Sequence, residues 1–149
     1  MTATHKLFVY GTLQRNHWNH KRAMADKGEV QFLGETQTDT KFLMVSSGIP
    51  FVFRRGKFKG TERKLIKSFL GHIKGELFLI DDAVLAACDR LEGHPTSYRR
   101  ELVAVRGDGV RRETVWAYFY QRPWGFTRPD QIFVKPDKDG IITWKSEHD

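Results

Sequence analysis

The sequence predicts an α+β protein built on a small, strongly curved mixed β-sheet or barrel flanked by short helices. Three observations carry that prediction. Short apolar runs bounded by Gly, Pro, Asn or Asp recur along the 149 residues, as strands do. Only two or three stretches carry helix start and stop signals. The apolar content, 40% hydrophobic with 11 Phe, 4 Trp and 4 Tyr, is enough for a packed core, and this length favours one domain over residues 1–149.

The elements follow in order. Lys6–Tyr10 reads as a strand that stops at Gly11. Asn19–Lys27 has helix-compatible composition, with Gly28 as a C-terminal cap. Val30–Leu33 and Lys41–Val45 read as strands, Ser46–Pro50 as a loop and Phe51–Phe53 as a short strand. Thr61 is placed to cap a short helix whose Leu65, Ile66, Phe69 and Leu70 share one face. Gly75–Ile80 is a clear strand. Asp81 or Asp82 then caps a helix running through Leu91, with Val84, Ala87, Cys88 and Leu91 on one side. Gly93 ends it and Pro95 forbids its continuation. Glu101–Arg106 and Arg112–Tyr120 form a hairpin around Gly107-Asp108-Gly109. Gln121–Pro129 is loop-like, and Ile132–Val134 with Ile141–Trp144 suggest a last hairpin around Asp139-Gly140. The total is about seven to nine strands with two or three short helices, the pattern of an α+β fold.

Composition narrows the function classes. A charged content of 29% is close to the ordinary roughly 25% and argues against global disorder. One cysteine, Cys88, allows no intramolecular disulfide. The opening residues lack the apolar run of a secretory signal, and no stretch approaches the roughly 18 apolar residues of a membrane span. A reducing, cytoplasmic setting is expected. The net charge of +7 is uneven: Arg54–Lys74 holds eight basic residues and one acidic, which accounts for all of it. An acidic partner or nucleic acid is therefore a question for that insertion-like segment alone. A solvated basic lid is the simpler reading of it.

The chemistry-bearing residues are few. Glu92 lies in the last turn of its predicted helix, where the dipole disfavours ionisation; partial burial acts the same way. Both move a carboxyl toward the range of a general acid/base at neutral pH. The turn Tyr10-Gly11-Thr12-Leu13 ends a strand and can point several backbone N–H groups at a carboxylate or a developing oxyanion. No P-loop or dinucleotide fingerprint is present. His17 and His20 have ligand spacing but no third ligand nearby, so a metal is not expected there. Cys88, on the apolar side of a helix, reads as core. Glu76, at a strand start, reads as structural rather than as a second catalytic carboxylate.

Four segments in order add a resemblance. Tyr10-Gly11-Thr12-Leu13-Gln14-Arg15 with Asn19-His20, then Ile49-Pro50, then Gly75-Glu76 before an apolar strand, then Leu91-Glu92-Gly93-x-Pro95-x-x-Tyr98-Arg99-Arg100 resemble the signatures of the gamma-glutamyl cyclotransferase-like family. The likeness is nearest to its gamma-glutamylamine cyclotransferase branch and runs from Leu7 to Tyr120. Gln14 and Asn16 stand where that pattern has Lys and Gly, and Leu91 where it has Phe. The stretch between Pro50 and Gly75 is longer than the family pattern.

The resemblance implies a small mixed β-barrel flanked by helices. It implies a transferase or lyase chemistry in which a γ-glutamyl group cyclises and leaves as 5-oxoproline, with no metal or cofactor. It places the catalytic carboxylate on Glu92 and the substrate loop on Tyr10, Gly11, Thr12 and Leu13. Tyr98 and Tyr120 are candidate pocket residues, and the expected partner is a small γ-glutamyl molecule such as γ-glutamyl-ε-lysine. The competing possibility is a non-catalytic binding module that uses Arg54–Lys74.

Overall fold

The computed structural model describes residues 3–54, 58–59, 67–107, 110–121, 124–125 and 133–146. Among them, seven strands join one sheet in the order β3-β2-β6-β7-β1-β5-β9, and β2 also pairs with β5. The extra pairing closes β2, β6, β7, β1 and β5 into a five-stranded barrel, with β3 and β9 appended. The strands are β1 (His5–Val9), β2 (Val30–Ser47), β3 (Ile49–Phe53), β5 (Gly71–Ile80), β6 (Tyr98–Gly107), β7 (Val110–Tyr120) and β9 (Ile141–Ile142). Two short strands, β4 (Phe58–Lys59) and β8 (Trp124–Gly125), pair parallel in a separate ribbon. β1 runs parallel to β7 and antiparallel to β5, so the barrel is mixed, as expected.

β1 shows how the layers are built. Period-2 alternation sends successive side chains to opposite faces. Phe8 and Tyr10 join one buried cluster with Phe42, Met44, Ile73 and Phe119. Leu7 and Val9 join another with Met24, Ile80, Val84 and Cys88. β1 is thus buried on both faces, which is why Leu7-Phe8-Val9 is continuously apolar. The second cluster lies beneath the main helix, α2 (Asp82–Glu92).

α2 is specified locally. Asp81 is the N-cap: its carboxylate accepts from Val84 N at 2.9 Å and from Glu29 N at 2.9 Å. Both bonds hold its pKa below the usual carboxylate value. Gly93 ends the helix in the left-handed region at φ 67°, where only Gly is free of Cβ strain. Leu85 is buried in the core, whereas Leu91, expected on the apolar side, is exposed.

Several elements depart from expectation. Lys41–Val45 and Val30–Leu33 are parts of one 18-residue strand. Its polar middle is interrupted by irregular register after Phe32 and after Gln37, with Gly34 at φ 140°. At the second irregularity Thr38 accepts from Ile73 N and donates to Thr40 O, replacing ladder bonds with side-chain ones. Ile49 and Pro50 belong to β3, which turns back on β2 at Gly48. The expected helix over Asn19–Lys27 is a single turn, α1 (Trp18–His20), leading into a π-helical turn over Lys21–Ala25 that ends at Asp26 rather than at Gly28. A Cβ at Gly28 would collide with the Asp81 carboxylate, so that glycine makes room for the α2 cap. The described part of the expected last hairpin pairs elsewhere: Ile141–Ile142 pair parallel with His72–Ile73, and Phe133 makes an isolated bridge to Val45, while Ile132 lies outside the described residues. Within the basic segment, residues 67–69 are helical and Gly71–Lys74 open β5. Thr61, Leu65 and Ile66 lie outside the described residues.

Candidate active site

The end of β1 and the end of α2 meet at a cavity of about 310 Å³. Its walls include Tyr10–Leu13 from the first and Arg90–Gly93 from the second, with Ile49 and Pro50 of β3 and with Tyr98 and Tyr118 from the sheet. The expected catalytic residue and loop, some 80 positions apart, therefore share one cavity.

The turn after β1 is braced from several sides. Asn19 Nδ2 donates to Thr12 Oγ1 at 2.8 Å, and His20 Nδ1 lies 2.8 Å from Leu13 O. Gln14 Nε2 donates to Tyr10 O at 2.9 Å. Glu76, buried at the start of the apolar part of β5, accepts from Arg15 N at 2.7 Å and from Arg15 Nε at 3.1 Å. Its role is to pin this loop, and the Arg15 guanidinium lies over Phe32 at 3.5 Å. Asn16 sits at φ 71°, which accounts for a glycine in the motif it departs from, since Asn tolerates the left-handed region better than most residues. Gly11 is packed against β3: a Cβ there would stand 2.7 Å from Pro50 Cγ. The N–H groups of Gly11, Thr12 and Leu13 have no partner among the described residues.

Glu92 is half-buried. The protein packed around it displaces water, and this loss of solvation pushes its pKa up to about 7. Among the described residues no charge or hydrogen bond offsets that burial. Three tyrosines feel its charge, yet each commits its proton elsewhere. Tyr10 donates to Tyr118 O at 2.7 Å, Tyr98 to Pro50 O at 2.9 Å and Tyr118 to Asp89 Oδ1 at 2.6 Å. Burial holds all three phenols well above the ordinary tyrosine value, so they stay neutral. Among the described residues, no side chain donates a hydrogen bond or forms an ion pair with the Glu92 carboxylate.

One helical turn earlier, Asp89 has the opposite environment. Desolvation raises its pKa, but hydrogen bonds from Arg100 and Tyr118 outweigh it and hold the carboxyl below its ordinary value. Arg100 grips it with two contacts, 3.0 and 3.1 Å, and lies over Trp116 at 4.3 Å. Two carboxylates on one helix end are thus driven apart, one kept ionised and one poised near neutrality, as acid/base sites require.

Tyr120 stands behind the cavity wall. Its ring packs edge-on against Tyr98 at 5.2 Å and Phe51 at 4.9 Å. The cavity residue on β7 is instead Tyr118. Strand alternation puts Tyr118 and Tyr120 on one face, and the sequence does not reveal which level of the barrel the cavity occupies. Asp89 and Arg90, which the sequence did not single out, flank the catalytic candidate; the spacing of Asp89 three residues before Glu92 is the signal that marks it. Cys88 is buried, its thiol pushed up to about 12, chiefly by desolvation, and it belongs to the core. His17 packs against Trp144 at 5.1 Å. Among the described residues no group of three His, Cys, Asp or Glu side chains is placed to hold a metal ion. No described helix is long and apolar enough to cross a membrane.

The sequence model of the family described as "Gamma-glutamyl cyclotransferase, AIG2-like" matches residues 7–139. The chain belongs to that family. A gamma-glutamylaminecyclotransferase of Rattus norvegicus is 32% identical over 126 residues, covering 76% of this chain and 75% of the rat protein. A gamma-glutamylcyclotransferase family protein of Escherichia coli K12 is 28% identical over 122 residues, covering 79% and 84%. A crystal structure of an AIG2-like protein from Mus musculus superimposes with a TM-score of 0.59 at 22% identity, covering 97% of this chain and 99% of that one, which shows a shared fold.

Proposed function

We propose that this protein cyclises a γ-glutamyl group and releases 5-oxoproline and a free amine, with Glu92 as general base and then general acid. γ-Glutamyl-amines such as γ-glutamyl-ε-lysine are the favoured substrates, in line with the rat protein's name. Residues 1–149 act as one domain in this reading. The observation that carries it is the Glu92 carboxyl, pushed up to about 7, in the same cavity as the unpartnered N–H groups of the Gly11–Leu13 turn.

The substrate's own α-amine is the nucleophile. At neutral pH it is mostly ammonium, so a base must take a proton before its lone pair can attack the γ-carbonyl carbon. A carboxyl with a pKa near 7 is ionised often enough to accept that proton and acidic enough to return it. The new C–N bond closes a five-membered ring, and negative charge gathers on the carbonyl oxygen. N–H groups of the Gly11–Leu13 turn supply the fixed dipoles that such an oxygen, or the substrate α-carboxylate, requires. The scissile C–N bond then breaks as Glu92 delivers that proton to the departing nitrogen, and the ring nitrogen, which still carries two hydrogens, gives one up to the regenerated Glu92 carboxylate, from which it passes to the freed amine. No water is consumed. Because nucleophile and electrophile share one molecule, proximity is built into the substrate. Tyr10 and Tyr98 confine the glutamyl chain, and Tyr120 supports Tyr98 from behind.

The test incubates the pure protein with γ-glutamyl-ε-lysine, γ-glutamyl-alanine and glutathione and quantifies 5-oxoproline. Release that falls by about 10²–10⁴-fold in Glu92→Gln, the usual weight of general acid/base catalysis, is the expected result. Undiminished turnover in that variant would remove Glu92 from the mechanism. Release from none of the three would remove the proposed substrates.

A further inference from the structure

The cavity wall carries a cation that the proposed chemistry leaves unused. Arg90 lines the cavity two residues before Glu92, is exposed, and has no ion pair or side-chain hydrogen bond among the described residues. Nearby arginines are engaged: Arg100 with Asp89, Arg99 with Glu101 and Arg15 with Glu76. Arg90 and Glu92 are the charged residues among the described lining, and no second carboxylate there competes for the guanidinium. Two apolar side chains of the same lining stay open to solvent, Ile49 at 39% and Leu91 at 44% exposure. Exposed apolar groups around a cavity mouth are what a partly apolar ligand covers.

Resting on the cyclotransferase reading, we infer that Arg90 sets leaving-group specificity by receiving a carboxylate on the departing amine, while Ile49 and Leu91 cover the apolar stem between that carboxylate and the scissile nitrogen. The glutamyl part must lie with its reacting atoms at the half-buried Glu92. The leaving group then extends toward the exposed part of the wall, where Arg90 stands. A guanidinium offers a forked donor set that matches a carboxylate in two parallel hydrogen bonds. The same charge disfavours an amine whose far end carries an ammonium with no carboxylate beside it. Arg90 is thus a specificity residue, distinct from the acid/base at Glu92.

Three matched substrates test this: γ-glutamyl amides of 6-aminohexanoate, pentylamine and cadaverine, whose free ends are anionic, neutral and cationic. The expected order of kcat/KM is 6-aminohexanoate, then pentylamine, then cadaverine, with about a five- to tenfold step from anionic to neutral, the size expected of a partly exposed charged contact. The preference resides in KM and narrows with added salt. In Arg90→Gln the anionic-to-neutral ratio falls to about one, Arg90→Lys keeps part of it, and Arg90→Glu favours cadaverine. Equal turnover of all three by the unmodified protein, or a preference that survives in Arg90→Gln, overturns the role of Arg90 and leaves the cyclotransferase reading standing. No 5-oxoproline from any of the three sinks that reading as well.

Discussion

Glu92 is a carboxyl held away from its comfortable state, and this has two measurable consequences. Its folded value of about 7 lies above the unfolded value of about 4.3, so the folded chain binds the extra proton between those limits. Glu92 therefore favours folding least above pH 7 and imposes no penalty below the unfolded value. Glu92→Gln is expected to stabilise the protein at pH 8 by on the order of 1–3 kcal/mol, after allowing for its partial exposure. The gain should vanish near pH 4.5. Urea titrations of both proteins at the two pH values check this, and an equal gain at both would mean the carboxyl is not desolvated. The second consequence is kinetic. The acid limb of kcat/KM should bend near pH 7, and a profile flat from pH 5 to 8 would contradict Glu92 as the base. The three surrounding phenols matter because each directs its proton away from Glu92; a donor to the ionised carboxylate would have lowered its pKa.

At the scale of the element, α2 delivers both Glu92 and the group that fixes its direction. Asp89 ties the helix end to β6 through Arg100 and to β7 through Tyr118. Its pKa is depressed, so this stabilisation is present above the unfolded value of about 3.9 and is lost as pH falls through the folded one. Asp89→Asn is expected to cost on the order of 1–3 kcal/mol at pH 7, because it leaves Arg100 partly buried and unpaired. That deficit should shrink in acid, as pH-dependent denaturant melts will show. The loop after β1 is equally constrained. Gly11→Ala places a methyl 2.7 Å from Pro50 Cγ, so the turn or β3 must move. A shift of about 1 Å in a positioning loop can cost about 10²-fold in rate. The expected outcome is a large loss of kcat/KM with a small change in melting temperature.

At the scale of the whole molecule, barrel closure brings the two halves of the site together. β1 is central, paired with β5 on one side and with β7 on the other. Phe8 is 1% exposed within the interior cluster. Phe8→Ala is expected to cost about 3–5 kcal/mol, the range for emptying a packed aromatic site, with an unchanged urea m-value if the denatured state is unaffected. Gly75 belongs to the same closure: a Cβ there would collide with Val9 O and the Phe8 ring. β5 approaches β1 closely at that point because no side chain intervenes.

The sequence by itself determined the pieces whose signals are local. A cap at Asp81 or Asp82, the stop at Gly93 and the apolar runs of β1 and β7 are written in neighbouring residues, and ordered motifs pointed to Glu92 and the Tyr10–Leu13 turn. The sequence left open whatever depends on pairing across the chain. Gly34 and the polar run after it look like a loop and are strand, because β5 and β6 supply their partners. Ile141–Ile142 look like half a hairpin and instead pair with β5. Leu91 fits an apolar stripe and is exposed at the cavity, and Tyr118 rather than Tyr120 lines that cavity. Local propensity acts over one or two turns of chain, whereas the desolvation that tunes Glu92 is set by what surrounds it in space. Only the closed barrel decides that.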